Sequence, residues 1–338
     1  MIKMAINGFG RIGRAAFKVA LDKHTDEVEV ICINDLMEPA TLAHLLRYDS
    51  VYGMYWRQIS FGEKSLTVDG KNYVILAEKD PALLPWKDLQ VDVVIESTGR
   101  FTKKELAQGH IQAGAKMVVI SAPSHDAPTF VLGANKYDGQ SQIINNASCT
   151  TNCVAPVTAV MQARFGIVKG MMTTVHAYTA EQDLVDGPPP ALHKDLRRAR
   201  AAAVNIVPTT TGAAISTTEV ITELKGLFDG IAIRVPVPCG SISDFCFLLK
   251  RETTAEEINQ VLKEAAHDPT YRGILAVSED PIVSSDIVGR DESAIVDLPF
   301  TKVVDGDLVK ILAWYDNEWG YANRLIEQVI EVGKSTSS

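Results

Sequence analysis

Short apolar runs alternate with amphipathic stretches along the first 148 residues of the chain. The runs are rich in Val and Ile, end on polar residues and lie at 2–7, 28–35, 91–97, 117–121 and 143–146. Apolar residues at helical spacing occur between them, most clearly at 11–22 and 103–113. Nearly continuous hydrophobic strands separated by helices are typical of a parallel sheet that is covered on both faces. The pattern predicts a doubly wound α/β domain over residues 1–148.

The pattern changes beyond residue 148. Longer strands with partial alternation are predicted at 169–179 and 230–250, a hairpin turning at Asp305-Gly306 at 302–308, and helices at 212–224 and 255–267. These elements predict a second domain, residues 149–317, built on a mainly antiparallel sheet with helices. We expect the terminal segment 318–338, with an amphipathic helix over 319–332, to pack back on the first domain.

Composition excludes several classes of function. The chain has 338 residues and a net charge of -9 at pH 7, which argues against a nucleic-acid partner because phosphate contacts need clustered Lys and Arg. The five cysteines are odd in number and lack metal-ligand spacing, so we expect a reduced, cytoplasmic protein with no metal site. A strand begins at Ile2 and no apolar run approaches the roughly 20 residues that span a bilayer. We therefore expect no secretory leader and no membrane partner.

The stretch Gly8-Phe9-Gly10-Arg11-Ile12-Gly13 follows the first predicted strand and opens the first helix. Glycines at this spacing allow a tight turn, close approach of a pyrophosphate and close helix–strand contact. The motif alone is often only a turn, but this setting predicts a Rossmann-type dinucleotide site. Asp35 ends the next strand, about 20 residues further on, where a carboxylate binds ribose hydroxyls and repels a 2′-phosphate. NAD is therefore favoured over NADP, with a turn-capping aspartate as the alternative.

Ser148 and Cys149 lie where a strand gives way to a helix. Val154, Val157 and Met161 keep helical spacing, which makes Ser148 the N-cap and places Cys149 in the first turn. Unpaired backbone N–H groups and the positive end of the helix dipole favour a thiolate there. The sequence predicts a nucleophilic cysteine, whereas a buried thiol that only packs the helix start is the alternative.

His176 is the candidate base for Cys149. It lies in the apolar strand 171–179, and a Cys/His pair can exist as thiolate and imidazolium. A lone histidine in a strand is more often structural, but the other six lie mostly in helical or loop segments and give less reason for selection. Cys153 shares the helix face of Cys149 and is expected to be a structural neighbour.

Five segments resemble the phosphorylating glyceraldehyde-3-phosphate dehydrogenase family. They follow the family order along essentially the whole chain, at 7–14, 148–153, 173–179, 208–214 and 314–321. The resemblance implies NAD as cofactor, a homotetramer, and conversion of glyceraldehyde 3-phosphate and inorganic phosphate to 1,3-bisphosphoglycerate in glycolysis or gluconeogenesis. A relative that oxidises erythrose 4-phosphate, and a cofactor-binding regulatory protein without turnover, remain as alternatives.

The resemblance also implies roles for individual residues. Cys149 attacks the aldehyde to form a thiohemiacetal, His176 is the general base as hydride leaves for the nicotinamide, and phosphate then attacks the thioester. Residues implied to hold the two phosphates are Thr179 and Arg234 at one site, and Ser148, Thr150, Thr211 and Gly212 at the other. Arg198 is implied to assist, although Arg197 and Arg200 leave that choice open. Asn317 is implied to orient the nicotinamide, while Arg11, Ile12 and Ser121 line the cofactor path.

The chain departs from the family pattern between Asp186 and Asp195. Here Pro189-Pro190-Ala191-Leu192 separates the turn Asp186-Gly187-Pro188 from His193-Lys194-Asp195, whereas the family has few or no residues between an Asp-Gly-Pro or Asp-Leu-Pro turn and His-Lys-Asp. Consecutive prolines predict an exposed, stiff loop. In the family this loop crosses a subunit interface and approaches a neighbour's cofactor. The extra residues are therefore expected to alter assembly or NAD affinity and to spare the Cys/His chemistry.

Overall fold

The structure, a computed structural model, describes residues 1–188 and 195–335. Two compact units divide the chain: residues 1–130, 136–147 and the segment from Ala322 form the first, and residues 131–135 and 148–321 the second. Residues 189–194 of the proline-rich loop lie outside the described residues. Within the described ranges, no helix is both long enough and apolar enough to cross a membrane.

An eight-stranded sheet forms the centre of the first unit, and a small hairpin of two strands accompanies it. The strands are β1 (Ile2–Asn7), β2 (Val28–Asn34), β3 (Tyr48–Asp49), β4 (Gly53–Met54), β5 (Ile59–Gly62), β6 (Ser65–Val68), β7 (Lys71–Leu76), β8 (Val93–Glu96), β9 (Met117–Ile120) and β10 (Ile143–Asn145). The helices that lie between them are α1 (Arg11–Lys23), α2 (Pro39–Arg47) and α3 (Lys104–Gln112).

The strand order of this sheet is β10-β9-β8-β1-β2-β7-β6-β5, and the pairs from β10 to β7 are parallel. The prediction of a doubly wound parallel sheet is thereby confirmed. Strand β7 was not predicted, and neither were the antiparallel strands β5 and β6 at one edge. They are short, and Asp69-Gly70, both at positive φ, turns β6 into β7. Such a turn is a hairpin signal, and its flanking residues alternate too briefly to stand out.

Burial explains why the central strands carry so few polar residues. Every residue of β8 and β9 is buried, as are five of the six residues of β1. Strands covered on both faces have no solvent side, so alternation gives way to continuous Val and Ile. At the carboxyl ends of these strands, the polar residues Asn7, Asn34 and Glu96 lie side by side in the parallel register.

The second unit begins with a long helix and is built on a mixed sheet. Its helices are α4 (Cys149–Phe165), α5 (Ala213–Val220) and α6 (Ala255–His267), and α7 (Trp319–Ser335) follows its last strand. Its strands are β11 (Ile167–Ala177), β12 (Val207–Thr210), β13 (Phe228–Val235), β14 (Ser241–Leu249), β15 (Leu275–Ser278), β16 (Ala294–Asp297), β17 (Lys302–Val304) and β18 (Leu308–Tyr315).

Strand β11 lies inside this sheet, between β13 and β14. It pairs parallel with β13 and antiparallel with β14, and β15 with β16 is the other parallel pair among the described strands. The sheet is therefore mainly antiparallel, as predicted. The hairpin predicted at Asp305-Gly306 is also confirmed, because β17 and β18 pair across that turn. Helix α5 is shorter than the segment predicted for it.

Helix α7 links the two units in sequence, since its residues from Ala322 belong to the first unit. Leu325, Ile326 and Val329 are fully buried there. A Cβ added at Gly333 would lie within 2.8 Å of the Ile2 side chain, so the helix runs directly against β1. Small residues at such crossings permit close contact between helix and strand.

Candidate active site

Cys149 is the first residue of helix α4, and Ser148 caps that helix as predicted. The Ser148 hydroxyl accepts a hydrogen bond from the Thr151 backbone N–H at 3.1 Å. The Asn152 side chain donates to the Ser148 carbonyl at 3.0 Å, which fixes the backbone from the other side. The cap satisfies one of the unpaired N–H groups that every helix start leaves. The nucleophile candidate therefore stands on a rigid element.

The residue that precedes the cap adopts an uncommon conformation. Ala147 has a φ of +53°, in the left-handed region that residues with a Cβ rarely enter. The Asn145 side-chain oxygen accepts from the Ala147 N–H at 2.9 Å, and Asn145 itself is fully buried. This contact compensates the conformational cost and turns the chain sharply out of β10.

His176 lies one residue before the end of strand β11, and its tautomer follows from one contact. Its Nδ1 is 2.6 Å from the Ala177 carbonyl oxygen, which can only accept, so Nδ1 carries the proton. Nε2 then presents its lone pair, 3.4 Å from the Cys149 Sγ. The structure thus brings the two predicted catalytic residues together with the acceptor nitrogen facing the thiol.

Tyr315 joins this pair, and sequence reasoning assigned it no role. Its hydroxyl hydrogen-bonds to the Thr150 and Thr174 hydroxyls at 2.9 and 2.7 Å, and its ring packs edge-on against His176 at 5.9 Å between centroids. Alternation along β18 places Tyr315 on the buried face. The signal was present in the segment 314–321, where the tyrosine is the last residue of a half-buried strand.

Burial opposes charge on both members of the pair. It raises the pKa of the Cys149 thiol to about 11, against the lowering effect of the nearby Arg234 cation. It also lowers the pKa of His176 to about 3, and Arg234 pushes in the same direction. Burial therefore works against the thiolate that the helix start favours, because desolvation disfavours the charged forms of both side chains.

Two arginines lie close to the pair, and both are largely buried. The Arg234 guanidinium donates to the Thr179 hydroxyl at 3.1 Å and to the Ala177 carbonyl at 3.3 Å. The Glu181 carboxylate lies 2.8 Å from the Arg198 guanidinium and 3.8 Å from that of Arg234. Glu181 was not predicted, and a lone acidic residue after Thr179 gives no sequence signal.

The geometry separates the three arginines that sequence left as alternatives. Arg198 is buried and donates to the Thr209 hydroxyl at 3.0 Å and to the Thr210 carbonyl at 3.1 Å. Arg200 instead pairs with Asp186 at the surface, and Arg197 is exposed. Arg198 is therefore the arginine that lies with Arg234 and Thr179.

The other predicted phosphate residues occupy the starts of two helices. Ser148 and Thr150 flank Cys149 on α4, while Thr211 and Gly212 precede α5, which packs against α4. The Thr211 hydroxyl accepts from the Ala213 N–H at 3.1 Å. A Cβ at Gly212 would meet no atom within 4 Å, so its backbone is open to approach. Helix starts of this kind suit anions.

In the first unit, the glycine stretch forms the predicted turn from β1 into α1. Gly8 has a φ of +94°, and a Cβ at Gly13 would lie 2.1 Å from the Gly8 carbonyl oxygen, so both positions need glycine. A Cβ at Gly10 would meet nothing within 4 Å. Among the described residues no side chain caps α1. The turn therefore offers an open backbone at a helix start, which fits a pyrophosphate.

Asp35 follows β2 and lies beside this turn. Its carboxylate accepts from the backbone N–H groups of Phe9 at 2.7 Å and Met37 at 2.9 Å, so it holds the turn as well as facing the edge of the sheet. Arg11 pairs with Asp49 at 3.2 Å. Ile12 and Ser121 are partly exposed. In the second unit, the Asn317 side-chain oxygen accepts from Gly240 N–H and the Ser241 hydroxyl.

Two family models match the chain. The model of the glyceraldehyde 3-phosphate dehydrogenase NAD binding domain matches residues 2–104, and that of the C-terminal domain matches residues 148–317. Among curated proteins, the chain is 54% identical to glyceraldehyde-3-phosphate dehydrogenase of Streptomyces coelicolor over 98% of each chain. The enzymes of Mycolicibacterium smegmatis and Geobacillus stearothermophilus are 52% and 51% identical over 99% and 96% of each chain.

The charge of Arg234 should control the reactivity of Cys149. Because this cation lowers the pKa of the thiol, Arg234→Gln should move the pH profile of Cys149 alkylation to higher pH. Arg234→Lys should leave the profile close to that of the unaltered protein. Iodoacetamide labelling followed by mass spectrometry measures the midpoint, with a Cys149→Ser background to subtract labelling of Cys246. A profile that stays in place in the Gln variant would contradict the coupling.

Proposed function

Because the chain belongs to the glyceraldehyde-3-phosphate dehydrogenase family, we propose that Cys149 and His176 carry out the family's reaction. That reaction is the NAD-dependent oxidative phosphorylation of glyceraldehyde 3-phosphate to 1,3-bisphosphoglycerate. The observation that supports these roles best is the 3.4 Å contact between Sγ and a His176 Nε2 whose lone pair faces the thiol. Nucleophile, base and a group that orients the base are the parts that covalent catalysis needs.

The reaction begins with transfer of the thiol proton to Nε2 as Sγ forms a bond to the aldehyde carbon. The carbonyl electron pair moves onto oxygen, which takes the proton back from the imidazolium to give a thiohemiacetal. Because burial disfavours an ion pair at rest, proton transfer is coupled to attack. The backbone N–H of Cys149 at the helix start is a suitable donor to the developing oxyanion.

Oxidation follows from the thiohemiacetal. NAD supplies the hydride acceptor when it is bound. His176 Nε2 removes the hydroxyl proton as the carbon loses hydride, and a thioester to Sγ results. The Ala177 carbonyl stabilises the imidazolium that forms, because it accepts from Nδ1 at 2.6 Å. The thioester preserves the free energy of aldehyde oxidation until phosphate arrives.

Inorganic phosphate completes the reaction by attack of an oxygen on the thioester carbon. The carbon–sulfur bond breaks, and its electron pair returns to Sγ, which takes the proton held by Nε2. The phosphate gives up its own proton to solvent, and the acyl phosphate is released. Thr179, Arg234 and Arg198 form one anion site in this proposal, and Ser148, Thr150, Thr211 and Gly212 form the other. Hydroxyls, helix-start N–H groups and guanidinium forks are all good phosphate ligands.

Glu181 is the counter-ion of the first anion site in this proposal. Its carboxylate occupies the two guanidinium groups while no phosphate is bound. Its side chain is 47% exposed, so it can turn towards solvent when a phosphate takes over both arginines. Substrate binding therefore exchanges one anion for another and leaves no buried cation unpaired.

In this proposal the glycine turn binds the NAD pyrophosphate through Gly8, Gly10 and Gly13. Arg11 and Ile12 lie beside it at the start of α1. Asp35 binds the adenosine ribose, and its negative charge disfavours a 2′-phosphate, so NAD is preferred over NADP. Ser121 and Asn317 complete the cofactor contacts, Asn317 through its side-chain amide. The partly exposed Asp35 carboxylate next to an open Gly10 backbone supports this placement.

The chain assembles as a homotetramer in this proposal and acts in the cytoplasm. Support comes from a run of exposed apolar side chains: Leu184, Val185, Leu196, Val204 and Ile206 are each at least 70% exposed. Backbone hydrogen bonds join the two segments that carry them, from Asp183 to Arg198 and from Ala202 to Asp183. These contacts bring the two segments together, and a monomer rarely leaves so many large apolar side chains exposed on neighbouring segments.

Replacing either catalytic residue should stop or slow NADH formation. Cys149→Ala should abolish oxidation, and His176→Asn should slow it about 10²–10⁴-fold, the usual contribution of a positioned general base. Absorbance of NADH with glyceraldehyde 3-phosphate measures both, with and without phosphate. Near-normal turnover of Cys149→Ala would refute its role. Parallel assays with erythrose 4-phosphate distinguish the related substrate, and no NADH from the unaltered protein would favour a regulatory role.

Removing the charge of Glu181 should strengthen phosphate binding. Glu181→Gln leaves both arginines in place without their counter-ion, so KM for the aldehyde phosphate should fall by up to about fivefold, the range of a partly exposed ion pair. The kcat should change little. Glu264→Gln, which breaks an exposed pair with Arg164, is the matched control. A rise in KM would instead show that Glu181 positions the arginines for phosphate.

A charge on the exposed apolar surface should disrupt assembly. Leu184→Asp places a carboxylate among the exposed side chains and should shift the sedimentation coefficient to that of a smaller species. Leu83→Asp is the control, because Leu83 is 69% exposed on the first unit. Identical sedimentation of both variants and the unaltered chain would argue against this surface as a subunit contact.

A further inference from the structure

A buried hydrogen-bond network of polar side chains lies beside the glycine turn of the first unit. The reaction described above uses none of its members. Glu96, at the end of β8, and His110, in α3, are both almost completely buried and lie 3.0 Å apart. Asn7 donates to Glu96 and is joined in turn to Asn34. Buried polar groups at this density are costly unless every one is satisfied.

The indole of Trp86 fixes the hydrogen-bond directions in this network. Trp86 Nε1–H can only donate, and it lies 2.9 Å from His110 Nδ1, so Nδ1 is the acceptor. Nε2 then carries the proton and donates to the Glu96 carboxylate. The other contacts of Glu96 are also donors: Asn7 Nδ2 on one oxygen, and the N–H and hydroxyl of Thr98 on the other.

These contacts end on the turn itself. Thr98 and Ser97 are the residues against which Gly8 lies, since a Cβ at Gly8 would be 2.7 Å from Thr98 N and 2.8 Å from the Ser97 carbonyl carbon. The Ser97 hydroxyl donates to the Gly8 carbonyl at 2.7 Å, and the Gly8 N–H donates to the Asn34 carbonyl at 2.8 Å. The hydrogen-bond network around Glu96 therefore supports the glycine turn from two sides.

We propose that Glu96 is a positioning residue for NAD: held by the Trp86-fixed tautomer of His110, its carboxylate fixes Thr98 and Asn7 and so preorganises the glycine turn, without touching the cofactor. The inference rests on the proposed placement of NAD over that turn. The chemistry demands four acceptor directions at one buried side chain, and only a carboxylate provides them. An amide of the same size brings two donors instead.

Glu96→Gln tests this demand. If its amide N–H₂ faces His110, it opposes the donors of both His110 and Asn7. Reversal of the His110 tautomer is blocked by the Trp86 N–H. If the amide is turned over, it opposes the Thr98 N–H. We expect NAD affinity, measured by calorimetric titration, to fall about tenfold, since one unsatisfied buried group carries that much free energy. The kcat at saturating NAD should stay within about twofold, because the second unit carries the chemistry.

A second substitution separates positioning from simple destabilisation. Trp86→Phe removes the donor that fixes the tautomer, so in the Glu96→Gln/Trp86→Phe double variant His110 can reverse its tautomer and accept from the amide. Of the two donors that oppose the amide, only that of Asn7 then remains. We expect the double variant to bind NAD about threefold more tightly than Glu96→Gln alone, although its unfolding midpoint is lower, since contacting residues are non-additive. A residue that is merely structural gives additive losses and no recovery.

Two further variants keep every outcome decisive. Asp35→Asn should weaken NAD binding directly, and if it does not, the placement of NAD fails rather than the role of Glu96. If Glu96→Gln does not yield folded protein, Thr98→Val removes one of its donors at the partly exposed turn and should weaken NAD binding about threefold. The proposal would be overturned if NAD affinity is unchanged in Glu96→Gln or, where that variant does not fold, in Thr98→Val. It would also be overturned if the double variant recovers no NAD affinity.

Discussion

The register between β11 and β13 is the constraint from which the second unit's site follows. Parallel pairing places His176 beside Arg234 and Ala177 beside Val235. Strand β11 thereby carries the base, His176, and also the Ala177 carbonyl that fixes the tautomer of this histidine. Strand β13 carries Arg234, the cation of the anion site. A slip of one residue would send each side chain to the opposite face of the sheet. Strand β11 pairs with β13 over residues 170–177 and with β14 over residues 167–175, and the length of this pairing makes that slip costly.

Buried charge is handled in two different ways in the two units. Around Arg198 and Arg234 the counter-charge comes from Glu181, which is half exposed and can leave. Around Glu96 the partners are neutral donors: the buried side chains of Asn7 and His110, and the N–H and hydroxyl of Thr98, which follows in the same turn. An exchangeable partner suits a site that binds and releases phosphate. A permanent one suits a frame whose task is to keep its shape.

The sequence was sufficient to predict the structural features that depend on local pattern or on residues with special backbone conformations. Continuous apolar strands, the glycine turn, the Ser148 cap and the Asp305-Gly306 hairpin follow from propensity and periodicity. The ionisation of Cys149 could not be predicted in this way, because it depends on how deeply later segments bury the start of α4. Glu181, Tyr315 and the choice of Arg198 over its neighbours likewise depend on contacts between residues distant in sequence. Strands β5 and β6 were not predicted because each has only four residues, which is too few for an alternating pattern to be recognised.

The last helix has a consequence for how the protein is made. Leu325, Ile326 and Val329 complete the core of the unit to which β1 belongs, and α7 covers Ile2, the second residue of the chain. During synthesis, which takes tens of seconds for a chain of this length, that apolar face of the nascent first unit has no cover. The second unit is translated in full during the interval. Of the two units, the cofactor-binding one therefore starts to emerge from the ribosome earlier and closes its core later.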